Sequence, residues 1–128
     1  MSIRSDLADL LADGLPGYRV IGYPGALDGV TRRTVALWAD RITAMPEAPN
    51  GHYAVTYTVR VITPYTDPAQ ADDDLDEAMG DVLALLWDSS AYLLSEARRE
   101  VVEDTSLHCW TLTVTGGITI TGTPALEA

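Results

Sequence analysis

The stretch from His52 to Thr63, His-Tyr-Ala-Val-Thr-Tyr-Thr-Val-Arg-Val-Ile-Thr, limits the fold more than any other part of the chain. Tyr53, Val55, Tyr57, Val59 and Val61 recur at every second position, with His52, Ala54, Thr56, Thr58 and Arg60 between them. A period of two is that of a β-strand with one buried face. The residue types agree, because β-branched and aromatic side chains suit a pleated, half-covered surface. The other face is small and hydroxyl-rich and lacks the carboxylate pair, histidine cluster or glycine loop that chemistry needs. A function borne by this strand is therefore mechanical or adhesive.

The flanking segments supply the other elements. Ile3, Leu7, Leu10 and Leu11 recur at helical spacing, with Arg4, Asp6, Asp9 and Asp13 on the other side, Ser2 placed to cap the start and Gly14 the end. Tyr18 to Tyr23 reads as a short strand stopped by Pro24-Gly25, and Thr31 to Thr43 as a longer one. The longer strand carries apolar residues on both faces, so it is either central in the sheet or covered by another chain. Met45 to Gly51, with two prolines and an Asn-Gly pair, is a loop long enough to project.

After the organising strand, Asp67 is placed as an N-cap and Pro68 as the first residue of a helix. Asp72, Asp73, Asp74 and Asp76 are expected in its first turns, where the helix dipole favours negative charge. Leu75, Met79, Val82, Leu83 and Leu86 form its apolar stripe, widened by Ala78 and Leu85, and the helix runs to about Ser89. Glu96 to Thr105 and Leu107 to Thr115 read as two further strands. Gly116-Gly117 is then a two-residue turn into Ile118–Thr121, a threonine-rich hairpin that forms either a sheet edge or an arm to a neighbour. The order helix, three strands, helix, then two or three strands indicates a single α+β domain over residues 1–128. It is a mainly antiparallel sheet with one long helix packed on a face and a short N-terminal helix nearby.

Composition excludes several function classes. With 128 residues and 47% hydrophobic content the chain can bury a core of its own. Its longest apolar run, Val82 to Trp87, is far below the roughly 20 residues of a membrane-spanning helix. The opening Met-Ser-Ile-Arg-Ser-Asp has no apolar leader segment, so synthesis and assembly in a cytoplasm are expected. Eight basic against nineteen acidic residues give a formal charge of -11, which disfavours a grip on phosphate backbones. All eight cations are arginine, which suits bidentate contacts between subunits but also follows from a compositional bias of the source genome.

Motifs for chemistry are not found. There is no phosphate-binding loop, nucleophile elbow, zinc-protease helix or dinucleotide fingerprint. Asp72-x-Asp74-x-Asp76 imitates the start of a calcium loop, but Glu77 stands where glycine is required and Leu83 where the closing glutamate is required. A single cysteine, Cys109, rules out an internal disulfide or a multi-cysteine zinc site. Cys109 and His108 are adjacent on a strand and so point to opposite faces, leaving a thiol nucleophile paired with His52 or His108 without an orienting third group. No catalytic residue, metal or cofactor is expected, and a non-enzymatic protein is indicated.

The run Tyr57-Thr-Val-Arg-Val-Ile-Thr-Pro64, the acid-rich Asp72-Asp-Asp-Leu-Asp76 helix and Glu96-Ala-Arg-Arg99 opening a terminal pair of strands together resemble the small tail terminator proteins of long-tailed phages, especially those of actinobacterial hosts. That resemblance implies a virion protein forming a ring, of six copies in that family, on the end of the tail tube. Such a ring stops tube polymerisation and joins the tail to head and neck proteins, with DNA passing through the lumen. The sheet is then expected towards the channel, the helices outside, and some acids facing inward to repel DNA. Candidate contacts between subunits or rings are Arg32 and Arg33, the loop with Met45, Glu47, Asn50 and Gly51, and the hairpin with Gly116, Gly117, Ile118 and Ile120. Another neck ring, such as a head-closure or tail-joining protein, and a small host binding module are the rival readings.

Overall fold

In the computed structural model, which describes residues 3–21, 30–45, 51–102 and 105–119, the alternating stretch is strand β3 (His52–Ile62). Val55, Tyr57, Val59 and Val61 are buried while Thr56, Thr58 and Arg60 between them are half-buried, as the period of two requires. Around it lie α1 (Ser5–Gly14), β1 (Arg19–Ile21), β2 (Thr34–Ala44), α2 (Pro68–Asp88), β4 (Tyr92–Val101) and β5 (His108–Thr119). The five strands form one sheet in the order β1-β2-β3-β5-β4. Only the β1–β2 pair is parallel, and the other three are antiparallel. The fold is the expected α+β class.

Both helices cover the same face of this sheet. Leu7, Leu11 and Leu15 beside α1 and Leu75, Ala78, Met79, Val82 and Leu86 of α2 pack on Val35, Leu37, Val55, Tyr57, Val59, Val61, Leu112 and Val114. The α2 start has the expected chemistry: Asp67 accepts the Gln70 N–H at 3.1 Å, and Pro68 occupies the first turn. The acids do not begin in the first turn, however, but at Asp72, beyond the reach of most of the helix dipole. Two of them act through partners instead: Asp74 takes Arg33 and Asp72 takes Arg99. Leu83 also leaves the expected stripe, standing 40% exposed beside the buried Val82 and Leu86.

Three sequence expectations are corrected. Gly116-Gly117 is not a turn, because β5 runs straight through it and pairs Gly116 with Val55 and Gly117 with Ala54. Gly116 is needed there for space, since a Cβ would stand 2.6 Å from Tyr92 Cδ1. At Ile118 and Thr119 the chain thus continues β5 rather than starting a new hairpin arm, and Ile120 and Thr121 lie outside the described residues. Next, β4 starts at Tyr92, four residues before Glu96, and ends at Val101; Thr105 sits in the following turn, where its N–H donates to the Val102 carbonyl. α1 carries no side-chain cap at its N-cap position, Arg4, and Ser2 lies outside the described residues. β2, expected to be partly apolar on both faces, changes environment along its length: Thr34 to Leu37 are buried, while Ala39 to Ala44 are exposed. At the buried end the chain covers the second face itself, with Ile62, Val102 and Cys109 clustered beside Val30 and Leu107.

The Gly116 contact gives a direct test. Gly116→Ala should push the Tyr92 ring off its seat and cost about 1–3 kcal/mol, read as a lower thermal midpoint. An unchanged midpoint would mean that Tyr92 is not held there.

Candidate assembly interface

Among the described residues, each edge of the sheet is incompletely covered. β1 pairs only with Thr34, Val35 and Ala36, so from Leu37 to Ala44 the outer side of β2 has no strand beside it among the described residues. At the opposite edge β4 pairs only with β5. Unpaired edges are templates for another chain unless they are blunted by charges or bulges. Both edges carry a bulge, at Asp40 in β2 and Ser95 in β4. The β4 bulge splits a charged half, Glu96-Ala-Arg-Arg-Glu100, from an apolar end, Tyr92-Leu-Leu94. The β2 bulge similarly sets Arg41-Ile-Thr-Ala44 apart.

The apolar ends are where the exposed hydrophobic surface collects. Seven large hydrophobic residues are exposed among those described: Ile42, Met45, Tyr65, Leu83, Trp87, Leu93 and Val101. Ile42 and Met45 belong to the free end of β2, while Leu83, Trp87 and Leu93 border the free end of β4, so two short edges account for five of the seven. Trp87 is 88% exposed and Leu93 73%. Together with Leu86, Tyr92 and Leu94 they line a groove of about 410 Å³ between the end of α2 and the β4 edge. Aromatic and aliphatic surface concentrated in this way marks a contact site on a folded chain.

The face of the sheet that no helix covers among the described residues is different in kind. Thr56, Thr58, Thr111, Thr113 and Thr115 occupy its middle on facing strands. Thr58 donates to Asp40 at 2.6 Å and Thr111 to Glu100 at 3.1 Å. Arg60 lies over the Trp38 ring, 5.6 Å from its centroid, with one nitrogen 3.8 Å from Glu100. Its buried Nε has no hydrogen-bond partner among the described residues. Arg98 reaches Glu96 at 3.0 Å. The charges of this face nearly balance, with Asp40, Glu96 and Glu100 against Arg41, Arg60 and Arg98, while the exposed acids Asp6, Asp9, Asp13, Asp72, Asp73, Asp76, Glu77, Asp81 and Asp88 sit on the two helices.

The residues singled out from sequence have separate fates. Arg33 is committed inside the chain: its Nε donates to Asp74 at 2.9 Å, and its terminal nitrogens lie 2.8 Å from Asp74, 3.4 Å from Glu77 and 3.7 Å from Asp81. The Asp74 bond is the main reason its pKa rises still higher. Tyr18 closes the cluster, donating to Asp81 at 2.9 Å and accepting from Arg33 at 3.2 Å; burial and the Asp81 bond push its hydroxyl up to about 12. Arg32 is exposed, and its carbonyl accepts the Thr34 hydroxyl at 3.1 Å. Met45 extends the apolar end of β2, and Gly51 enters β3 with a positive φ of 94°. Glu47 and Asn50 lie outside the described residues. Gly116 is buried under Tyr92, Gly117 is exposed and Ile118 is half-buried. Compared with protein-family models and curated proteins, the chain matches none.

Cys109 is buried, pairs in register with Ile62, and shares a side of the sheet with Glu100 rather than with His108. His52 sits at the other end of β3, about 30 Å away at roughly 3.3 Å per residue. Burial raises the thiol pKa, so the protonated form persists at neutral pH. A thiol reagent should therefore modify Cys109 only once the chain is unfolded; fast labelling of the folded protein would contradict this.

Sequence reading misses Ile42, Trp87 and Leu93. A signal for Trp87 is present, because it falls one position past Leu86 and off the 3.6-residue stripe. A tryptophan placed off the buried stripe of an amphipathic helix is available to another molecule.

Proposed function

We propose that this chain is a ring-forming structural protein of a phage virion, a tail terminator that caps the tail tube, stops its growth and joins it to the neck. The observation that carries the reading is that two sheet edges open among the described residues carry five of the seven exposed large hydrophobic side chains described. Such edges are completed by copies of the same chain. The uncovered threonine face supports the passage of DNA: two of its arginines, Arg60 and Arg98, are engaged by in-chain carboxylates and offer phosphate little to grip. Acids on the helices then face outward, where they keep separate rings apart in solution.

Incubation with purified tail tubes and with DNA-filled heads tests the reading. Binding at tube ends, with tube length fixed in a polymerisation assay, is expected. Binding to filled heads and not to tubes would assign the chain to another neck ring instead, and binding to neither would refute both.

A further inference from the structure

The two free edges differ from each other, so the way in which they meet decides whether copies form a ring, a two-fold dimer or a fibre. Resting on the ring reading above, we propose that the Arg41–Met45 end of β2 in one copy adds antiparallel to the Tyr92–Leu94 end of β4 in the next. Ile42 enters the groove beside Trp87.

Register within the sheet carries this step. Ile42 pairs with Val55, Val55 with Gly116, and Gly116 with Tyr92, so Ile42 and Tyr92 stand at opposite ends of one row across the sheet. Ile42 and Tyr92 both face the helices, because Val55 between them is buried in that core. The adjacent row runs Arg41, Thr56, Thr115, Leu93 on the uncovered face. A rotation about an axis parallel to the strands preserves height and strand direction. It therefore brings the Ile42 row of one copy level with the Tyr92 row of the next, with no climb along the axis. A head-to-tail contact without climb closes into a ring, whereas one with climb grows a filament.

Strand sense agrees. Three successive antiparallel pairings from β2 through β3 and β5 to β4 leave β2 and β4 opposed. A β2 brought alongside β4 by such a rotation is thus antiparallel to it, the more stable pairing.

Side-chain chemistry agrees as well. On the helix side Ile42 meets an apolar groove already formed by Leu83, Leu86, Trp87 and Tyr92. On the other side Arg41, exposed and without an ion pair among the described residues, comes next to Leu93 and towards Glu96, which is 57% exposed. The bulges limit the pairing to these ends and keep the charged half of β4 from extending it.

Two variants and their mixture test the proposal, since Ile42→Asp and Trp87→Asp each spoil a different half of the contact at exposed positions. Association should weaken roughly thirtyfold or more for each, leaving single chains by light scattering with unchanged circular dichroism. An equimolar mixture should recover a species of two chains and nothing larger, because Ile42→Asp keeps a working β4 groove and Trp87→Asp a working β2 end. A mixture that stays at one chain, or a single variant that still forms rings, would overturn this pairing while leaving the ring reading in place. A wild-type chain that never associates would remove both.

Discussion

Replacing Tyr57 with alanine should destabilise the chain by about 3–5 kcal/mol, the range for emptying a large buried aromatic site. Tyr57 is 1% exposed at the centre of β3, flanked by β2 and β5, under α1. Its ring meets Tyr92 edge to face with centroids 6.2 Å apart, and its hydroxyl donates to the Ile3 carbonyl at 2.9 Å. Loss of the ring opens a cavity between the sheet and both of these neighbours. Tyr57→Phe keeps the ring and removes only the hydrogen bond, so it should cost about 0.5–1.5 kcal/mol. Chemical denaturation of both variants measures the two costs, and equal losses would mean that the ring packing contributes little.

The same burial gives Tyr57 a pH signature. Burial pushes its hydroxyl up to about 12 from 10.0 in the unfolded chain. A folded pKa above the unfolded value means that the folded state holds the proton more tightly. The associated stability is complete below pH 10 and is lost as pH rises from about 10 towards 12. Tyr18, raised likewise to about 12, adds to the same alkaline loss. In Tyr57→Phe the alkaline decline should be shallower than in the parent.

The second large effect is expected at Asp74. One oxygen of this carboxylate holds Arg33, at 2.9 and 2.8 Å, while the other accepts the fully buried Thr63 hydroxyl at 2.6 Å. Asp74→Ala leaves that hydroxyl without its acceptor and Arg33 with only its longer contacts. The loss should be about 2–3 kcal/mol. Glu77→Ala and Asp81→Ala remove exposed partners of the same arginine and should each cost about 1 kcal/mol or less. Comparable losses in all three variants would show that the cluster acts through general charge rather than through the Asp74 geometry.

What sequence could show follows from how local each signal is. The β3 alternation, the Asp67-Pro68 helix start and the α2 core are written in neighbouring residues, and they stand in the structure where periodicity puts them. Gly116-Gly117 misleads because glycine serves two purposes. The dipeptide has the composition of a turn, but its first glycine is required by a ring from another strand, which only the assembled sheet supplies. Tyr92 to Leu94 is hidden for a similar reason, being an apolar run directly after an apolar helix. Arg33 reads as a free surface cation until α2 places Asp74 against it, 41 positions along the chain. The candidate interface is a property of two sheet edges, and edges exist only once strand order is known. Trp87 alone could be suspected beforehand, from its place off the stripe.

The mass and outline of the purified protein test the assembly reading most directly. Light scattering together with negative-stain images should show a closed ring of several copies with a central opening, lost on Trp87→Asp. A monodisperse single chain at high concentration and in the presence of tail tubes, with Trp87 left in solvent, would contradict it.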